Sequence, residues 1–269
     1  MYSKDKKISK PILFALDVGN TSITMGLFRG SKLAAHGRMP THGHGSREAQ
    51  LYCRTLTRFL KKKAPGSEPV MDVILSSVVP RATQVLKKVF RRLIGGNILV
   101  IGETVQAPVR NRTRIPSQVG QDRLVNAAAA YHLYGGPAII VDFGTAVTLD
   151  MVSARREYLG GLIIPGMEVA LEALVTRAAL LPPIPMKPPR EFLGRDTRSS
   201  MASGLFYGYG ALCDGLVAGL KKRYAPRAKV IATGGHARLV APFCRSIQVV
   251  NLFLTLEGLE LAYRTKKNS

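Results

Sequence analysis

With 269 residues, 46% of them hydrophobic, the chain can bury one large core or two smaller ones, and its composition excludes disorder beyond its ends. Its 39 basic against 17 acidic residues leave a net charge of +22, which steers anions such as nucleotides, acidic metabolites or nucleic acid towards the surface. No apolar run reaches the roughly 18 residues of a bilayer span. Three cysteines without a Cys-x-x-Cys spacing read as reduced thiols of a cytosolic protein without structural zinc.

Residues 1–10 are basic, lack an apolar core and a small-residue cleavage site, and read as a frayed tail rather than a signal peptide. Alternation over residues 11–36 predicts two or three antiparallel strands. The stretch His42-Gly43-His44-Gly45 reads as a mobile loop, since its histidines do not pair with cysteines at metal-ligand spacing. Helical spacing through Leu51, Thr55, Phe59 and Leu60 predicts a helix over residues 46–64, stopped by Ala64-Pro65-Gly66. A buried strand from Val70 to Val79 ends at Pro80. A basic amphipathic helix then runs from Arg81 to Ile94, closes at Gly95-Gly96, and is followed by a short strand from Asn97 to Ile101.

Arg110 to Gly120 reads as an irregular basic loop, after which Asp122 opens an alanine-rich helix that Gly135-Gly136-Pro137 stops. The domain boundary is placed there, giving domains 1–134 and 135–269. Leu159 to Gly166 is a strand entering a turn, Val169 to Ala179 a helix, and Leu181 to Arg190, with five prolines, an extended loop. Arg198 to Tyr224 is a long helix with Gly204, Gly208, Gly215 and Gly219. Each glycine costs up to about 1 kcal/mol of helix stability, so close packing against another helix, within the chain or across a subunit interface, is the expected compensation. Lys229 to Ala232 is a strand, Thr233-Gly234-Gly235 a tight turn, and Thr255 to Arg264 a closing helix. The order predicts an α/β architecture with mixed sheets, given twice.

The most informative motif occurs in both halves. Asp17-Val18-Gly19-Asn20-Thr21 and Asp142-Phe143-Gly144-Thr145 each sit between an apolar run and an alternating strand, 125 residues apart. The P-loop and Rossmann fingerprints and the Gly-x-Ser-x-Gly elbow are all missing from the sequence. Glycine turns let main-chain N–H groups approach phosphate oxygens, and Asn20, Thr21 and Thr145 add side-chain donors. Asp17 and Asp142 can hold cations that neutralise phosphate charge. A single Asp-x-Gly is usually an ordinary hairpin turn; two copies and a third glycine turn favour a phosphate site. Asp122 fits a general base towards an acceptor hydroxyl, or a helix N-cap, and one residue can do both. Arg123 can hold an acidic substrate or be an ordinary surface arginine. The basic clusters read as solvated helix faces or as a nucleic-acid surface, without the aromatic strand of an RNA-binding sheet.

Taken in order, Asp17 to Thr21, Gly120-Gln121-Asp122-Arg123, Asp142 to Thr145, Gly160-Gly161 with Pro165-Gly166, Gly194 to Thr197 and Thr233 to Gly235 resemble the type III pantothenate kinases, the Bvg accessory factor family, over residues 12–262. The resemblance implies the actin/sugar-kinase ATPase fold, with two RNase H-like domains and ATP in the cleft between them. It implies transfer of the ATP γ-phosphate to the 4′-hydroxyl of pantothenate, the first step of coenzyme A synthesis, in a cytoplasmic homodimer that uses Mg2+ and potassium or ammonium. By that pattern Asp17, Val18, Gly19, Asn20, Thr21, Ser22, Ile23, Thr24 and Thr145 contact ATP, and Asp142 binds the monovalent cation. Gly120, Gln121, Asp122 and Arg123, with Asp122 as base, and Thr197 contact pantothenate. The chain departs from the pattern at Thr113, where the family often has a tyrosine, and at Gln121, where a small residue is usual. Two other readings compete: a non-catalytic regulator on the same scaffold that touches nucleic acid, and a kinase for another small hydroxy acid.

Overall fold

The alternating residues after position 11 form a three-stranded antiparallel meander, β1 (Ile12–Val18), β2 (Ser22–Arg29) and β3 (Lys32–Pro40). The protein is represented by a computed structural model that describes residues 12–41, 47–63 and 70–268, the side chain of Met71 excepted. The expected N-terminal tail, the His42–Gly45 loop and the helix stop at Ala64-Pro65-Gly66 lie outside the described residues.

Helix α1 (Glu48–Lys63) carries the chain to β4 (Val70–Ser77), which pairs parallel with β1. Helix α2 (Pro80–Leu93) then carries it to β5 (Asn97–Val100), parallel to β4. The sheet order is β3-β2-β1-β4-β5. The central strand β1 is apolar along both faces because helices cover parallel strands on either side. Phe14 stacks on Phe59 and meets Phe90 edge-on, each at 5.7 Å between ring centroids. The buried ridge of α1 is Tyr52 and Leu56, and Leu51 is exposed. The expected stripe holds at Phe59 and Leu60, which pack against the core, but its first half is one residue out of phase, Tyr52 and Leu56 taking the buried positions beside Leu51 and Thr55 because the tyrosine buries more surface than the leucine beside it.

After β6 (Arg110–Asn111), one 3₁₀ turn (Pro116–Gln118) and α3 (Gln121–Tyr134), the pattern repeats. The hairpin β7 (Ala138–Phe143) and β8 (Ala146–Val152) extends into β9 (Glu157–Pro165), all antiparallel. Then come α4 (Met167–Arg177), a proline-rich connection and α5 (Thr197–Tyr224). Strand β10 (Lys229–Thr233) returns parallel to β7, and after α6 (Ala237–Val240), β11 (Val249–Val250) lies parallel to β10. The second sheet, β11-β10-β7-β8-β9-β6, has the order of the first with β6 added at its edge. The final helix is α7 (Leu254–Lys267).

Contacts group the chain into two units: Met1–Pro108, Gly120–Val125 and Thr255–Ser269 form the first, and Val109–Val119 and Asn126–Leu254 the second. In unit 1, Leu256 of α7 lies over Gly26, and Tyr263 donates a 2.5 Å hydrogen bond to buried Asp72. In unit 2, Phe206 packs on Phe243 at 5.3 Å, and α5 presses Gly210 against the Phe243 carbonyl, where a methyl group would overlap it. Gly204, Gly208 and Gly215 meet nothing within 4 Å, and Gly219 meets only the Arg223 side chain. Among the described residues, then, packing within the chain does not compensate the glycines singled out from sequence, and the position that does pack tightly is Gly210.

Candidate active site

In unit 1, β1 and β2 are joined by Gly19-Asn20-Thr21. The Gly19 N–H donates to the Ser22 carbonyl at 3.0 Å. Thr41 fastens the turn from β3: its hydroxyl donates to the Gly19 carbonyl at 2.6 Å and its N–H to the Thr21 carbonyl at 3.0 Å. Asn20 and Thr21 are exposed at the tip, while Asp17, Ser22 and Thr24 are half-buried. Ser22 Oγ accepts from Arg38 Nε at 2.7 Å. The side chains of Val18 and Ile23 lie in the hydrophobic core, so only their main chain is available to a ligand.

Gly120 to Arg123 form the start of α3. The Gly120 carbonyl accepts from the N–H groups of Arg123 at 3.1 Å and Leu124 at 3.4 Å, so Gly120 is the cap and Asp122 lies inside the first turn. That corrects the expectation of Asp122 as the N-cap residue. Its Oδ1 accepts from the Arg123 N–H at 2.9 Å, and the positive end of the helix dipole favours its charge. Asp122 and Arg123 are half-buried. Gln121 folds over Gly102, whose φ is +84°, and its Oε1 is buried without a hydrogen-bond partner among the described residues.

Unit 2 repeats the hairpin. The Gly144 N–H donates to the Ala146 carbonyl at 3.1 Å, Asp142 stands opposite Thr148, and Thr145 is exposed at the tip. Asp142 Oδ2 accepts from Asn126 Nδ2 at 3.2 Å. Its Oδ1 lies against Gly234, where φ is +93° and a Cβ would overlap the carboxylate, so no other residue fits that turn without strain. The Gly166 N–H at the start of α4 donates to the Thr145 carbonyl at 3.1 Å, and the His236 N–H donates to the Phe143 carbonyl at 3.1 Å. His236 Nε2 lies 3.2 Å from Glu168 Oε1. The hairpin tip, the start of α4 and the glycine turn after β10 are thereby held as one cluster.

Thr197 is exposed as the first residue of α5. Beside it Asp196 and Ser199 cap the helix reciprocally, and the Ser199 main-chain and hydroxyl donors hold the Asp196 carboxyl below the usual carboxylate range. Thr113 is turned onto its own loop, its N–H and hydroxyl both donating to Asn111 Oδ1 at 3.0 and 2.8 Å. Asn126, Glu168 and His236 were not singled out from sequence. Asn126 could have been found because it follows Asp122 by four residues, one helical turn, and His236 because it directly follows the glycine turn. Among the described residues no cluster of three or more His, Cys, Asp or Glu side chains could hold a metal ion by itself. A cation at either aspartate therefore has to draw its remaining ligands from carbonyl, phosphate or water oxygens.

The profile of the type III pantothenate kinase family matches residues 13–219. The type III pantothenate kinase of Moorella thermoacetica is 40% identical over 252 residues, which cover 94% of this chain and 98% of that protein. Among solved structures, a conserved putative Baf family transcriptional activator from Campylobacter jejuni superposes with a TM-score of 0.60 at 16% identity, over 95% of this chain and 100% of the other. A ROK hexokinase from Thermus thermophilus superposes with a TM-score of 0.50 at 17% identity, over 95% and 99%. These likenesses are of fold, and the fold is the actin/sugar-kinase ATPase class, with two mixed sheets flanked by helices.

Proposed function

This chain belongs to the type III pantothenate kinase family, and on that premise we propose that it transfers the γ-phosphoryl group of ATP to the 4′-hydroxyl of pantothenate, the first step of coenzyme A biosynthesis. The observation that carries the proposal is the 40% identity to a curated pantothenate kinase across nearly the full length of both chains. Asp122 accepts the hydroxyl proton as the oxygen attacks the γ-phosphorus; the bond from that phosphorus to the bridging oxygen breaks, and ADP leaves. Arg123, with Gly120 and Gln121, holds the acceptor, and Thr197 touches it from the start of α5. Residues Asp17 to Thr24 and Thr145 bind the nucleotide phosphates, Val18 and Ile23 through their main chain alone.

Asp142 fits a monovalent cation. It is a single carboxylate, fixed by Asn126 and crowded by Gly234. Asp17 fits Mg2+, which takes one or two carboxylates and completes its shell with phosphate and water. Bound there, the two ions would offset phosphate charge. The enzyme works as a cytoplasmic homodimer. Supporting an apolar partner surface are Leu180, Phe192 and Leu193, exposed by 92%, 73% and 74%, and the open glycine face of α5. No described helix is long and apolar enough to cross a membrane.

The test is ADP release by the purified protein with ATP and Mg2+, with and without pantothenate and potassium. Release that requires both, with product mass increased by one phosphate, is the expected result. Release with another hydroxy acid and none with pantothenate would overturn the substrate assignment.

A further inference from the structure

Helices α1 and α2, which carry none of the residues assigned to the reaction, hold ten of the 39 basic residues and a single acidic one. On α1, Arg54, Arg58, Lys61 and Lys62 line one surface depression together with Thr57. This is the i, i+3, i+4, i+7, i+8 pattern of a single helix face. A second depression, between α1 and α2, shares Arg54 with the first and adds Lys88 and Arg92. All six cations are exposed. The only acidic residue of the two helices, Glu48, is buried and paired with Arg81, while Lys87 is engaged by Glu103. None of the six has an ion pair among the described residues.

Solvated helix faces ordinarily mix both signs. Here two neighbouring helices expose one sign across adjoining grooves, and the uncompensated repulsion calls for a polyanion. We infer that the outer face of α1 and α2 is a docking surface for double-stranded nucleic acid, read through its phosphate backbone. From Arg54 to Lys62 the helix rises ~12 Å and carries four charges, at steps of about 6, 4.5 and 1.5 Å, a mean density comparable with that of the phosphates of one duplex strand at ~3.4 Å each. The depressions present no exposed aromatic side chain on which single-stranded bases could stack. They also present no exposed large aliphatic chain to enter a lipid layer: none lines the first, and Val89, which lines the second, is buried. Recognition is therefore independent of sequence, and it is compatible with catalysis because no residue assigned to ATP, pantothenate or the base lies on α1 or α2.

The experiment measures fluorescence anisotropy of a labelled mixed-sequence 24-base-pair DNA duplex with the full chain between 50 and 300 mM KCl. Kinase activity of every variant serves as the fold control. The expected result is binding whose logarithm falls linearly with log salt, with a slope of about −4 or steeper for four or more neutralised phosphates. Arg54→Gln/Arg58→Gln/Lys62→Gln should weaken binding at least about tenfold and flatten the slope by about 2 to 3. Lys222→Gln/Arg223→Gln/Arg227→Gln removes the same charge from the end of α5 and the loop after it, and should leave binding nearly unchanged. The inference is overturned by no binding at 50 mM KCl, by equal losses in the two triple variants, or by tighter binding to phosphatidylglycerol vesicles than to the duplex. If the first triple variant loses kinase activity, Arg58→Gln alone carries the same comparison, with a threefold loss expected and no loss overturning the inference.

Discussion

Asp122 and Asp142 differ in how their carboxylates are held, and the difference predicts how each should fail. Asp122 is fixed by its place in the first turn of α3 and by the Arg123 N–H, a bond that asparagine can also accept. Asp122→Asn should therefore keep the melting temperature within about 2 °C and lower kcat by about 10²-fold or more, the usual contribution of a general base. Calorimetry and steady-state kinetics on one preparation check this; activity within threefold of wild type would remove Asp122 from the proton transfer. Asp142 is confined by Asn126 on one oxygen and by Gly234 against the other. Gly234→Ala adds a methyl group at a φ of +93°, where it overlaps the carboxylate. The expected cost is about 1–3 kcal/mol of stability, with a raised KM for ATP. An alanine variant with unchanged KM and urea midpoint would show that the turn has no part in holding the nucleotide.

At the scale of elements, α7 is tied to the first sheet through one buried carboxylate. Asp72 accepts from Tyr263 at 2.5 Å, from the Asn97 N–H at 3.0 Å and Nδ2 at 2.9 Å, and lies 3.2 Å from Lys267 Nζ. Burial alone would raise its pKa; the hydrogen bonds from Tyr263, Asn97 and Lys267 outweigh burial and lower it. A carboxylate lowered in the folded state stabilises the fold above its unfolded pKa, and that stability is lost as pH falls through the folded value. Tyr263→Phe should thus cost about 1–3 kcal/mol near neutral pH. The gap from wild type should narrow below the ordinary carboxylate pKa, as urea unfolding at several pH values would show. A gap that stays constant down to pH 3 would mean that the tyrosine acts by packing alone. Nothing in the local sequence marks this tie, because Asp72 and Tyr263 stand 191 residues apart. What was legible is local in origin: the alternation of β1 to β3, the stops at Pro80 and Gly135, and the two Asp-x-Gly hairpins. The buried Tyr52 and Leu56 of the first half of α1 and the packed glycine of α5 were not, since both depend on which neighbour the helix meets. Glu168 escaped for the same reason, since its role exists only once α4 and the turn after β10 have come together, whereas Asn126 and His236 were within reach through their spacing from Asp122 and from the glycine turn.

For the molecule as a whole, the fold is one sheet order used twice and the charge is one sign used throughout. With 17 acidic residues against 39 basic ones, most cations have no carboxylate to meet however the chain folds. Folding brings them closer than the unfolded chain does, so self-repulsion opposes the compact state. Screening should relieve it: the Debye length shrinks from about 30 Å at 0.01 M to about 8 Å at 0.15 M ionic strength. The melting temperature should therefore rise between 10 and 300 mM KCl by roughly 3–6 °C, equivalent to ~1–2 kcal/mol of relieved repulsion. Replacing Arg54, Arg58, Lys61, Lys62, Lys88 and Arg92 with glutamine removes the densest part of that charge without touching the buried faces of α1 and α2. This variant should melt higher than wild type at 10 mM KCl, and the two should converge at 300 mM. A wild-type melting temperature that is flat or falling with salt would mean that the cations are already neutralised by contacts within the fold, and that the unpaired face of α1 and α2 carries no electrostatic strain for a partner to relieve.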